Sequence, residues 1–85
     1  MTEHAEPGDC IVFKRADGVY DVSKIDRSSR RVLVRAAIQH PDSAHMIAQG
    51  HLEGGRVLYS QHQSPGVLTV YRTTSDAAPA PTRLR

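Results

Sequence analysis

The chain has 85 residues, a single cysteine, no tryptophan and a formal net charge of +2. That length holds one domain at most; the lone Cys10 excludes an intramolecular disulfide framework and a cysteine-rich zinc site, and so small a charge does not by itself imply a nucleic-acid partner. No run approaches the roughly 18 apolar residues of a membrane span and the N-terminus lacks the basic and apolar regions of a signal peptide, so a cytoplasmic protein with no membrane contact is expected.

Residues 1–8, "MTEHAEPG", are polar and end in a Pro-Gly breaker; they read as a flexible N-terminus. "CIVFKR" (10–15) is β-branched and aromatic and predicts a first strand, opened by Cys10 acting as a small hydrophobe. Asp17-Gly18 is a hairpin signal, and "VYDVSKI" (19–25) follows as a second strand. "DRSSR" reads as a polar turn before "RVLVRAA" (31–37), a third strand. Loops this short favour an antiparallel meander for these three. At His40-Pro41-Asp42 the period changes: proline suits the first helical turn and Asp42 the positive end of the helix dipole. "SAHMIAQGHLE" (43–53) then predicts a helix running to the stop signal Gly54-Gly55. "RVLYSQ" (56–61) and "VLTVYR" (67–72) are two further strands, joined by "HQSPG" with its Pro65-Gly66 turn signal. Residues 73–85, small and proline-containing, read as a flexible C-terminal tail. The expectation is therefore an α+β domain over 9–72, with an antiparallel or mixed sheet of about five short strands. Its order is β-β-β-α-β-β, with one helix packed on one face. A body of roughly 60 residues buries only about 60% of its unfolded surface, so stability should be marginal and dimerisation a natural remedy.

His45 and His51 bracket the helical run and invite a metal or catalytic reading. At about 100° per residue, Ala44, Ile47, Ala48, His51 and Leu52 share one apolar arc, with His45 at its margin. Six residues put the two imidazoles about 120° apart around the axis and about 9 Å along it; ligands for one ion sit four apart on a helix, as in HExxH. No third ligand has diagnostic spacing, so no metal site is expected, and His51 is expected to face the core. Ser28, Ser29, Ser60 and Ser64 lie in turns or at strand ends without a nucleophile elbow, and "EGGR" lacks the helix a phosphate loop requires. The sequence thus predicts no catalytic residues, no cofactor and no enzymatic activity.

Charge distribution says more than net charge. Seven basic residues between Lys14 and Arg35 stand against three aspartates, a local balance of +4. Arg27, Arg30, Arg31 and Arg35 cluster about the second turn, and alternation sets Arg31, Leu33 and Arg35 on one strand face with Val32, Val34 and Ala36 on the other. A basic sheet face could enter a DNA major groove, using Lys14, Lys24, Arg27, Arg30, Arg31 and Arg35. Interleaved acids dilute that field, and Tyr20, Tyr59 and Tyr71 fall one per strand with no stacking pair of RNP type. The leading expectation is a small noncatalytic module acting through self-association (a homodimer) or protein binding, by way of an exposed strand edge; the alternative is nucleic-acid binding through the basic hairpin.

"RADGVYDV" and "GGRVLYSQHQSPGVLTVYR" together resemble a family of small bacterial domains of unknown function, which carry a D-G-aromatic-x-V opening, an amphipathic helix and a G-G-x-L-V-x-H hairpin. Asp17, Gly18 and Val22 match the opening, with Tyr20 one residue late; Gly54, Gly55 and Leu58 match the hairpin. "SKIDRSSRRVLVRAAIQH" makes the second hairpin longer than that pattern. The resemblance covers most of 15–72 and implies a fold type, with no activity attached.

Overall fold

A computed structural model describes residues 4–71. Residues 1–3 of the expected N-terminal arm, Arg72 at the end of the last expected strand, and the expected tail at 73–85 lie outside the described residues. The chain forms β1 (Cys10–Lys14), β2 (Tyr20–Ile25), β3 (Arg31–Ile38), α1 (Pro41–Gly50), β4 (Val57–Gln61) and β5 (Ser64–Val70). Turn chemistry sets the first three. Gly18 takes φ of 89°, open to glycine at no steric cost, and the Asp17 carboxylate accepts from the Val19 N–H at 3.3 Å. Asp26 accepts from the backbone N–H groups of Ser28 (2.9 Å) and Arg30 (2.8 Å). These bonds hold its carboxyl below the usual range, the Arg30 N–H contributing most.

The five strands make one mixed sheet in the order β3-β2-β1-β4-β5. β1, β2 and β3 are the expected antiparallel meander. β4 lies parallel to β1, which requires a crossover, and α1 supplies it between β3 and β4. The helix covers one face. Cys10, Val12, Tyr20, Val22, Ile38, Val57 and Tyr71 are buried there with Ala44 and Ala48 of α1. Cys10 is fully buried, and burial, with Asp9 second, pushes its thiol pKa up. The opposite face holds a second, smaller cluster of Ile11, Ile25 and Leu58, with Ala5 and Leu68 packed on it.

Two expectations about the helix are corrected. It stops at Gly50 rather than near Glu53, and His51 is its C-cap with φ of −109°. The His51 N–H bonds the Ala48 carbonyl three residues back, at 3.0 Å. Once that bond tightens the last turn, the 100° projection no longer places residue 51, and His51 is exposed instead of core-facing. Gly54-Gly55 serves another purpose. The backbone of Gly8 passes so close to Gly55 that a Cβ there would sit 2.6 Å from the Gly8 carbonyl carbon and oxygen and overlap Asp9 Oδ1. Asp9, only 4% exposed, accepts from the N–H groups of Arg56 (2.8 Å) and Glu6 (2.9 Å). It thereby ties the N-terminal approach to the entry of β4.

The last hairpin is also shifted from its expected place. It turns at His62 and Gln63, and β5 begins at Ser64, so Pro65-Gly66 falls inside the strand. Gln61 pairs with Ser64 and Tyr59 with Thr69, a register jump that lets the strand bulge around Pro65 and Gly66. A proline without an N–H is admissible there because β5 is an edge strand.

Candidate functional site

The basic residues singled out in the sequence do not share one face. Lys24 pairs with Cys10, on the helix side of the sheet. Arg31 pairs with Ile25, on the other side, where its guanidinium lies 6.0 Å over the Phe13 ring. Lys14 pairs with Tyr20, four strand positions, about 13 Å, from the level of Lys24. Arg27 and Arg30 are exposed in the β2–β3 turn, and Arg30 Nε bonds Asp26 at 3.3 Å. Arg35 departs from its expected row. A register shift between Val22 and Ser23 sets it opposite Val22, so it no longer continues the line of Arg31 and Leu33. The structure brings Arg27, Arg30 and Arg31 to one end of the molecule, sets Lys24 near that end on the opposite face, and leaves Lys14 and Arg35 farther along the sheet.

What emerges on β3 is an edge. Ile25 donates its N–H to the Asp9 carbonyl (3.0 Å), and its own carbonyl accepts from Gly8 (3.1 Å). Both groups of Ile25 thus point away from β3. In an antiparallel ladder this makes Ile25–Arg31 a non-hydrogen-bonded pair, so the N–H and C=O of Arg31, and of Leu33 two residues on, project from the outer edge. No described strand pairs with that side. Val32 (39%) and Leu33 (59%) are exposed apolar residues on it, and neither Arg31 nor Arg35 has a carboxylate partner among the described residues. The edge is bounded by Ala37, whose φ of 58° marks a kink. The Ala37 N–H is taken by Asp21 Oδ1 at 2.9 Å.

Row Leu33–Ser23–Ile11–Leu58–Val70 crosses the whole helix-free face in register. Its centre is buried, while its ends, Leu33 at 59% and Val70 at 47%, are open. Sequence alternation separates Leu33 from Val32 and Val34 but does not show that the ends of the row stay uncovered.

On the helix side, the tyrosines that fall singly in the sequence are gathered. The Tyr71 ring lies 5.5 Å from that of Tyr59 and stacks on His45 at 4.8 Å. Its hydroxyl donates to the Pro41 carbonyl. Burial raises the Tyr71 phenol pKa, with Tyr20 and Asp42 adding to the shift. This cluster is a packing device for α1: His45, expected at the margin of the stripe, makes the ring contact instead of His51.

Among the described residues no group of three or more His, Cys, Asp or Glu is placed to hold a metal ion, and no helix is long and apolar enough to cross a membrane. No family model, curated protein or solved structure matches the chain.

Proposed function

We propose that this protein is a noncatalytic binding module whose β3 edge receives an extended strand from a protein partner. The observation that carries the reading is the outward backbone of Arg31 and Leu33 beside exposed Val32 and Leu33. Main-chain groups left unpaired at a sheet edge are a template for strand addition, and alternate side chains give the selectivity. The cationic neighbours indicate the chemistry of the partner. Arg31, which shares a face with Leu33, favours a carboxylate beside an apolar residue that covers Leu33. A second copy of the same strand is a poorer occupant, because Arg31–Ile38 contains no carboxylate to meet Arg31. The kink at Ala37 confines the template to a few residues, which suits a transient, low-affinity contact rather than a permanent one.

The test uses the ¹⁵N-labelled chain and a peptide of alternating valine and glutamate. Binding should shift and protect the amides of Arg31 and Leu33, while Val32, whose N–H already faces β2, stays unchanged. Leu33→Pro removes one outward N–H without touching the internal ladder and should abolish binding. Unaffected edge amides, or equal binding by the Pro variant, would overturn the reading. Concentration-dependent dimerisation would give the edge to a second copy. Steeply salt-dependent binding to duplex DNA, lost in Arg30→Ala/Arg31→Ala, would give the surface to nucleic acid instead.

A further inference from the structure

At the other end of the sheet, β1 and β4 run side by side and in parallel, with Lys14 opposite Gln61. Beyond that pair the chain leaves in opposite directions, from β1 towards β2 on one side and from β4 towards β5 on the other. Divergent exits from these neighbouring parallel strands leave a crevice at their carboxyl ends, bounded by the β1–β2 and β4–β5 turns. Here the crevice has a volume of about 250 Å³ and is lined by Lys14, Arg15, Ala16, Gly18, Gln61, His62 and Gln63. It is small for a drug-sized molecule and matches a compact polar one.

The walls are fixed before any ligand arrives. On one side the tight turn is closed by Arg15 N–H to the Val19 carbonyl (2.8 Å) and Gly18 N–H to the Arg15 carbonyl (3.0 Å). The Arg15 guanidinium is held by Asp17 at 2.9 Å and Asp21 at 3.5 Å. On the other side the His62 N–H donates to the Lys14 carbonyl at 2.9 Å, fastening the second turn to the end of β1. The lining contains no carboxylate. Both aspartates nearby are occupied by Arg15, while Lys14 is half-buried and makes no ion pair among the described residues. Lysine offers three donors and a compact charge, and glutamine amides and an imidazole add further donors. A lysine without an ion-pair partner among the described residues, lining a crevice with two glutamines and a histidine and with no carboxylate in the lining, is the chemistry of an oxyanion site.

We propose that this crevice binds a small phosphate, as inorganic phosphate or the head of a phosphomonoester, with Lys14 as its charge partner and Gln61, His62 and Gln63 as donors. The site is independent of the β3 edge, so failure of either proposal leaves the other intact. The test titrates inorganic phosphate, then acetate, into the ¹⁵N-labelled full chain at constant ionic strength. Phosphate should give saturable shifts confined to residues 14–18 and 61–63, with acetate at least tenfold weaker. Lys14→Gln should raise Kd about tenfold, equivalent to about 1.4 kcal/mol. His62→Ala, at an exposed turn position where folding is not at issue, should raise it by a smaller factor. Non-saturating shifts spread equally over Arg27 and Arg30 would show ionic screening and overturn the proposal. So would an unchanged Kd in a folded Lys14→Gln variant, or acetate binding as tightly as phosphate.

Discussion

Gly55→Ala is the sharpest test of how this small domain is held together. The new Cβ would stand 2.6 Å from the Gly8 carbonyl carbon and oxygen and overlap Asp9 Oδ1. The Gly8 obstacle is backbone, anchored through its N–H to Ile25 and its carbonyl to Glu53, so it cannot swing aside as a flexible side chain would. The Asp9 carboxylate must also be displaced, which forfeits its bonds from Arg56 N–H (2.8 Å) and Glu6 N–H (2.9 Å). Hydrogen bonds to a charged acceptor contribute about 1.5–3 kcal/mol each, so the substitution should cost about 3–5 kcal/mol. A domain of this size has a total stability of roughly 5 kcal/mol, and the variant should sit near its unfolding midpoint in buffer. Urea titration followed by far-ultraviolet circular dichroism at 25 °C measures the shift. Gly66→Ala is the control: nothing lies within 4 Å of the added Cβ, and its effect should stay within about 0.5 kcal/mol. In an Asp9→Ala background the further cost of Gly55→Ala should fall by about 1 kcal/mol or more, since one of the two obstacles has gone. If Gly55→Ala unfolds within about 0.5 kcal/mol of the parent, the Gly8–Gly55 crossing is not the staple described here.

Three further outcomes follow from the packing. Leu58 is fully buried on the helix-free face, so Leu58→Ala should lose about 2–5 kcal/mol in the same denaturation assay; a loss under about 1 kcal/mol would mean that this face is no core. Tyr71→Phe removes the bond to the Pro41 carbonyl and should cost about 1 kcal/mol at neutral pH. The folded phenol titrates above its unfolded value, raised by burial, so its contribution is intact below about pH 10 and is lost as pH rises through the folded pKa; the variant should show a flatter alkaline limb, and parallel limbs would contradict the assignment. His51→Ala, at an exposed cap, should change the melting temperature little, whereas His45→Ala loses the stack on Tyr71, worth about 0.5–1.5 kcal/mol; the reverse order would restore the stripe projection.

Which parts of the fold can be read from residues alone depends on the range of the forces involved. Strand positions and the first two turns are local: β-branched runs, Asp17-Gly18 and Asp26 carry their own bonding partners within a few residues. The helix end is a competition between nearby signals. Gly50 and Gly54-Gly55 both offer a stop, and the later pair reads as the stronger one although Gly55 is required by a crossing with Gly8, far away in sequence, and Gly54 by its positive φ. The displacement of Arg35 is similar. Strict alternation assigns it to the face of Arg31, but the register of β3 shifts between Val22 and Ser23, and a second shift beside it accompanies the bond from the Ala37 N–H to Asp21, sixteen residues away. Pro65-Gly66 has turn chemistry that an edge strand can absorb as a bulge. The D-G and G-G elements of the family resemblance are of the same kind. Gly18 and Gly54 adopt positive φ, a demand many small folds share, so they speak to backbone geometry before they speak to ancestry.

The two candidate surfaces trace to a single topological choice. Because the chain begins in the central strand β1 and builds outward through β2 to β3, it must return across the sheet to lay β4 on the other side of β1. That return consumes the only described helix, which therefore shields one face and neither edge. β3 is left as an edge strand with exposed Val32 and Leu33. The same return makes β4 parallel to β1, so their carboxyl ends fall together and their exits must diverge. Had β4 continued as a fourth meander strand beside β3, the edge would be covered and Lys14 would have no Gln61 beside it. The proposed strand site and the proposed phosphate site are thus separate in chemistry but share one cause: a crossover placed after three strands.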